Sequence, residues 1–313
     1  MNVVVLGGSG MLGVMLAEVL SRNPLFHVLA TVRYPAVVDR LKVVVPLAHW
    51  QAVGDVAWGS FDSLGRLKWD IELTEKDWLI NAIGITNRFL RDEQDSKAME
   101  EAVLINSLFP FVLQRSFPRQ HIIHISTDCL FAGSGGPYTE KYRHDVVDAY
   151  GKSKSLGEVL APNVAVLRTS IVGPESGRSR SLLEWFLAQP LGGTVQGFTN
   201  HIWNGLTTYQ FAKICEGMIL NDTRLAGVQH IVPRDTITKY GLLQLFAKYF
   251  YREDVEILPV APKERVDRVL GTNNRTVNER LWRQAGYPEL PSIEDMIKEL
   301  ARDRGIQKIR GNV

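Results

Sequence analysis

Apolar residues recur along this chain in two alternating rhythms. Residues 3–6 are β-branched or apolar without a polar break, which predicts a strand buried on both faces. A glycine turn follows, then apolar positions at helical spacing over residues 11–20, ending near Asn23-Pro24. Residues 26–32 form a second apolar strand. Strand, turn, helix and strand in about thirty residues make a βαβ unit with a right-handed crossover. The alternation continues with strands over 78–85 (WLINAIGI), 121–126 (HIIHIS) and 164–170 (VAVLRTS), and helices over 99–113 and 150–160. This pattern predicts an α/β fold built on a doubly wound parallel sheet.

Beyond residue 170 the rhythm loosens. A polar loop spans 174–180, and 192–205 is rich in Gly, Asn and aromatic residues. A helix over 207–219 and a strand over 228–232 return to the sheet pattern, before Pro-containing loops from 257 and a charged helix over 293–302. The expected organisation is a nucleotide-binding domain over 1–171, completed by about 204–236. A smaller C-terminal substrate lobe is expected from about 172–203 and 237–313. No internal repeat or low-complexity stretch is present.

Composition narrows the partners. The 313 residues carry 36 basic and 34 acidic side chains, well mixed, for a net charge of +2, so a nucleic-acid partner is not expected. Two cysteines, Cys129 and Cys215, are too few for a disulfide framework, and neither Cys nor His shows metal-ligand spacing, so no metal is expected. No segment approaches the ~18 to 20 apolar residues that cross a bilayer. The apolar start lacks a basic region before it, so a cleaved leader is not expected, and the expected compartment is the cytoplasm.

The candidate chemistry starts in the first turn, Gly7-Gly8-Ser9-Gly10-Met11-Leu12-Gly13, between a strand and a helix. Its glycines permit a tight turn and close approach of backbone to a diphosphate, with the helix amino end facing the anion. Arg33 ends the second strand, where an NAD site would place an acid for the ribose 2′-hydroxyl, so NADPH is favoured and NADH stays open. Tyr150 and Lys154 stand four residues apart at the start of a predicted helix, which puts phenol and ammonium on one face. A tyrosine of pKa ~10 needs such a neighbour, or an oxidised nicotinamide, to exchange protons near neutrality. Thr127 and Asp128 end the HIIHIS strand, Asn106 lies in the preceding helix, and Asn81, Ala82 and Gly84 end the WLINAIGI strand.

GGSGMLG, NAIG, the Asn at 106, STD at 126–128, YGKSK at 150–154 and LRTSIVGP at 167–174 together resemble an extended short-chain dehydrogenase/reductase. STDCLFAGSGGPYTE followed by YGKSK is similar to the dTDP-4-dehydrorhamnose reductase group. The resemblance implies a Rossmann domain and NADPH-dependent reduction of a keto group on a nucleotide-linked deoxyhexose. It gives Thr127 the substrate carbonyl, Tyr150 the proton, Lys154 the nicotinamide ribose and the tyrosine pKa, and Asn106 a water relay. It places Asp62, near the end of a third strand, against adenine, and gives Thr169 a place beside the cofactor. Arg88, Asp128, Cys129, Asn200, Trp203 and Asn204 are candidates for substrate contacts. Cys129 and Ile171 replace the Tyr and the aromatic residue usual in the group, which leaves the sugar open. Relatives pair through the helices holding Asn106 and Tyr150, which leaves a homodimer open. An epimerase of the same fold and a non-catalytic NADP-binding regulatory subunit are the competing readings.

Overall fold

A computed structural model describes residues 1–54, 65–67, 71–90, 95–176 and 181–311, without the side chains of Asn87, Arg88 and Arg304. Its centre is a parallel sheet. In chain order the first half supplies β1 (Asn2–Leu6), α1 (Met11–Ser21), β2 (His27–Val32), α2 (Val38–Val44), β3 (His49–Ala52) and β4 (Trp78–Asn81). It continues with α3 (Ser96–Ala102), α4 (Phe109–Ser116), β5 (His121–Ser126), α5 (Ala149–Leu156), β6 (Val164–Arg168) and β7 (Ile171–Val172). The second half supplies α6 (Leu182–Leu187), β8 (Thr194–Phe198), β9 (His201–Trp203), β10 (Leu206–Thr207), α7 (Thr208–Leu220) and β11 (Gly227–His230). Last come β12 (Ile237–Thr238), α8 (Lys239–Tyr249), β13 (Glu256–Val260), β14 (Val266–Asp267), α9 (Arg275–Gln284), α10 (Ile293–Arg302) and α11 (Arg304–Arg310).

The seven-stranded sheet runs β11-β6-β5-β4-β1-β2-β3, all pairs parallel. The order reverses between β1 and β4, and ligands of such sheets bind outside the carboxyl ends at that switch. The unbroken apolar strands are explained by cover on both faces. Val3 and Val5 point into one core with Val14, Met15 and Leu16 of α1, and that core extends through α7 to the C-terminal helices. Val4 and Leu6 point into the opposite core with Leu79, Ile105, Phe109 and Leu113.

Several elements differ from the sequence expectation. The helix expected over 99–113 is α3, a π-helical turn over Val103–Leu108, and α4. Pro110 has no N–H to give the carbonyl of Asn106 four residues earlier, so that rung of the α ladder is missing and the turn widens. The strand expected over 78–85 ends at Asn81, because Ala82 onward forms the wall of a cavity. The third strand ends at Ala52, well before Asp62, and Asp62 itself lies outside the described residues. The stretch 192–205 holds β8 and β9 rather than loop alone. β8 pairs in parallel with β13, and β9 lies between β12 and β14. The region after 257 also holds α9, whose Asn278, Leu281 and Trp282 are buried at helical spacing.

Candidate active site

Two cavities meet along the carboxyl ends of β1, β4, β5 and β6. The first, of about 570 Å³, is lined by the turn after β1, by Thr31 to Tyr34 after β2, and by Ala82 to Ile85 after β4. The second, of about 620 Å³, shares Ser9, Gly10 and the 82–85 wall and runs on to Thr127, Tyr150 and Lys154. Together they form one trough from the edge of the sheet to its middle.

The turn after β1 is built for close approach. Gly7 has φ +82°, a left-handed backbone that suits glycine. A Cβ on Gly13 would lie 2.0 Å from the Gly7 carbonyl oxygen, so helix and turn touch backbone to backbone. Gly10 caps α1 without any side-chain acceptor, which leaves the positive end of the helix toward the trough. Ser9, Met11 and Leu12 line its walls, while Gly13 packs behind the turn. Arg33 lines the first cavity with its guanidinium 5.6 Å from the Tyr34 ring centroid, and Arg40 from α2 joins it. A dinucleotide's diphosphate and a further phosphate could be held by these groups.

In the second cavity α5 presents Tyr150 and Lys154 side by side. Asp148 caps the helix by accepting from the Gly151 N–H at 2.9 Å, which fixes where the tyrosine starts. Lys154 Nζ donates to the Ile125 carbonyl at 2.8 Å, one of its three donors, and burial pushes its pKa down to about 8. Burial, and then the nearby Cys129 thiol, push the Tyr150 phenol above its ordinary value, while a hydrogen bond with Thr127 pulls the other way. The protein's own groups therefore keep Tyr150 protonated, with desolvation the largest influence. A protonated phenol is what a proton donor to a carbonyl needs.

Thr127 sits at the carboxyl end of β5, with its Oγ1 accepting from the Cys129 N–H at 3.1 Å and 3.2 Å from Asp128 Oδ1. Burial drives the Cys129 thiol up to about 12, with Asp128 adding to the rise, so it stays neutral. Behind the reacting face, Ser126 Oγ donates to Glu158, and Glu158 forms an ion pair with buried Arg168 at 2.5 Å. His144 Nε2 lies 2.7 Å from the Arg168 guanidinium, and burial keeps that imidazole below its usual range. This buried network joins β5 and β6 to the segment that follows α5, behind Thr127 and Tyr150.

Asn106 lies beneath the site rather than in it. Its side chain exchanges two hydrogen bonds of 2.9 Å with the backbone of Ile85 and donates to Ser153 Oγ at 3.0 Å. Ser153 Oγ in turn donates to the Tyr150 carbonyl at 2.8 Å. The residue ties the 82–85 wall to α5 and shows no direct bond to Lys154. Asn81 is likewise beneath the floor, with Nδ2 3.1 Å from His124 Nδ1 and its Oδ1 accepting from the Ile83 N–H.

Ala82, Gly84, Thr169, Asp128, Cys129 and Trp203 line the trough. Asn200 and Asn204 do not: Asn200 donates to the Pro262 carbonyl at 2.7 Å, and Asn204 pairs with the backbone of Leu270. These two amides hold the lobe's loops together, which their Gly/Asn-rich context could not reveal. The side chain of Arg88, like Asp62, lies outside the described residues. The sequence reading passed over Arg40, Glu175, Ser176 and Lys239, all of which line the trough. Arg40 stands one helix after Arg33, a signal available in the sequence. Lys239 follows Thr238, which caps α8, and only the tertiary fold brings it to the site. Among the described residues no group of acids, His or Cys could hold a metal, and no helix is long and apolar enough to cross a membrane.

Known proteins resemble this chain. The family model of the RmlD substrate binding domain matches residues 1–305. A zebrafish (Danio rerio) methionine adenosyltransferase 2 subunit beta is 30% identical over 149 residues, covering 44% of this chain and 46% of that protein. The chain spans about half the length of the curated relatives it matches. The dTDP-4-dehydrorhamnose reductase of Bacillus anthracis, solved with NADP, superposes with TM-score 0.67 at 18% identity, covering 96% of this chain and 98% of that one. The UDP-glucuronic acid 4-epimerase of Bacillus cereus, a tyrosine-to-phenylalanine mutant solved with NAD and a fluorinated UDP-glucuronic acid, superposes with TM-score 0.69 at 15% identity over 100% of both chains. At such identities the likeness is one of fold.

Proposed function

The chain belongs to the RmlD substrate binding domain family, and from that membership and the trough we propose that it is an NADPH-dependent reductase of a keto group on a nucleotide-linked hexose. The observation that carries this reading is the convergence of Thr127, a protonated Tyr150 and Lys154 on one cavity that continues into the glycine turn. The turn fits a dinucleotide. A Cβ at Gly13 would collide with Gly7, the amino end of α1 has no side-chain cap, and Arg33 and Arg40 stand where a 2′-phosphate would need charge. When bound, the reduced nicotinamide supplies a hydride to the keto carbon.

The residues present perform the rest. Thr127 Oγ1, turning its proton away from Asp128 Oδ1, and the Tyr150 hydroxyl donate hydrogen bonds to the substrate's carbonyl oxygen and orient it. Negative charge grows on that oxygen as the carbon is reduced, and the Tyr150 proton moves to it, leaving an alcohol. Lys154 stabilises the phenolate left on Tyr150, and its two remaining N–H donors are available to a ribose hydroxyl. Glu158, just after α5, is held by Ser126 of β5 and Arg168 of β6, which ties the strand carrying Thr127 to the helix carrying Tyr150. Asn106 keeps the 82–85 wall against α5.

The test is turnover of NADPH with a panel of nucleotide-4-keto-6-deoxysugars, comparing the wild type with Tyr150→Phe. The reading expects oxidation with at least one sugar and a loss of ~10²-fold or more in the variant. A Tyr150→Phe enzyme of normal rate overturns it. A second reading draws on the relative named as a subunit, which favours a regulatory NADP-binding role. It expects tight NADPH binding and no turnover with any sugar. An epimerase of the same fold is favoured by the Bacillus cereus neighbour and expects interconversion of two sugars without net loss of NADPH.

A further inference from the structure

Two ammonium groups line the second cavity, Lys154 and Lys239. Lys154 is bonded to the Ile125 carbonyl. Lys239, the first residue of α8, has neither a hydrogen bond nor an ion pair from its side chain among the described residues. Its Nζ stands 5.3 Å from the centroid of the Trp203 ring, and Trp203 is itself fixed by donating from Nε1 to Ser170 Oγ at 2.9 Å. Burial lowers the lysine's pKa, and Asp128 and Cys129, both at the reacting end of the trough, oppose that shift. Asp128 acts on it from beyond the range of an ion pair, and the Cys129 thiol is neutral.

A cation partly withdrawn from water, with an aromatic face beside it and its nearest acid beyond ion-pair range, is costly to the folded protein. Nothing in the packing requires it, since an apolar residue over Trp203 would fill the same wall. The arrangement makes sense if an anion arrives with the ligand. We propose that Lys239 is a substrate-binding residue whose ammonium receives an anionic oxygen of the nucleotide sugar, beside the keto group that Thr127 and Tyr150 hold. The inference rests on the nucleotide-sugar reading above. Such a substrate offers anionic oxygen from two sources, the diphosphate and a carboxylate on the sugar ring, and both present the same chemistry to an ammonium. Cys129 and Ile171 add no charge to this wall and Asp128 is an acid, so the Lys239 ammonium is the group at this end of the cavity that favours an anionic ligand over a neutral one.

The experiment is titration calorimetry of the NADP-loaded protein with UDP, dTDP, UDP-glucose and UDP-glucuronic acid, for wild type, Lys239→Gln and Lys239→Arg. Lys239→Gln is expected to lose about tenfold or more in affinity for every ligand carrying the recognised anion, and Lys239→Arg to recover most of it. Loss already present with UDP and dTDP assigns the contact to the diphosphate. Loss confined to UDP-glucuronic acid assigns it to a ring carboxylate. NADPH affinity is measured alongside and is expected to match the wild type in both variants, while the melting temperature of Lys239→Gln is expected to equal or exceed that of the wild type. Affinities for all four ligands within twofold of wild type in a folded Lys239→Gln protein overturn the inference and leave the reductase reading standing. A wild type that binds none of the four overturns both.

Discussion

Lys154→Met is the substitution that most sharply separates stability from function. Lys154 is 5% exposed, and burial lowers its pKa from 10.5 to about 8. At about 1.4 kcal/mol per pH unit, that difference corresponds to ~3 kcal/mol by which the charged lysine weakens the fold near neutrality. The sign follows from proton counting. Between pH 8 and pH 10.5 the unfolded chain keeps the proton and the folded chain has lost it, so the wild type gains stability as pH rises through this window. Methionine fills similar volume without charge, but it leaves the Ile125 carbonyl without its donor, at a cost of about 1–3 kcal/mol that does not vary with pH. Urea unfolding of both proteins between pH 7 and pH 10.5 isolates the titrating part, because every other group cancels in the difference. The stability of the variant minus that of the wild type should fall by ~3 kcal/mol across the range. Turnover should drop ~10²-fold or more at every pH. A difference that stays flat with pH would show that the lysine is not held below its ordinary value, and would refute the reasoning.

Other expectations follow from single contacts. Gly13→Ala places a Cβ 2.0 Å from the Gly7 carbonyl oxygen and should cost about a hundredfold in kcat/KM for NADPH, whereas Gly10→Ala, with its nearest neighbour at 3.3 Å, should cost far less. Arg40→Ala should raise the KM for NADPH about tenfold and leave that for NADH unchanged, as read from steady-state kinetics with both cofactors. Glu158→Gln leaves the buried Arg168 charge without its counter-ion, and should destabilise the protein by about 3–5 kcal/mol in urea unfolding.

The central strands of the first half were legible because β1, β4 and β5 are covered on both faces. Uninterrupted runs such as residues 3–6 and 121–126 have few readings besides a parallel sheet. The glycine turn, Thr127, Tyr150 and Lys154 were legible because local spacing and strand ends place them. What escaped the sequence depends on contacts far along the chain. β8 (TVQGF) does bury Val195 and Gly197 at period two, but its threonine and glycine resemble loop until β13 supplies a partner. In α9 four charged residues masked the helical spacing of Asn278, Leu281 and Trp282. The π-helical turn could have been expected from Pro110, four residues after Asn106. Lys239 carried no local sign at all, since its meaning comes from Trp203 and Asp128 on other elements.

The central claim is that hydride passes from NADPH to a sugar carbon and stays there. NADPH deuterated at the transferred position of nicotinamide C4, reacted with the protein and a nucleotide-4-keto-6-deoxysugar, tests it by mass spectrometry of the isolated sugar. The account predicts one deuterium on the former keto carbon and one equivalent of NADP formed per sugar reduced. A product without the label, or a sugar recovered unreduced while NADPH stays bound, would contradict it.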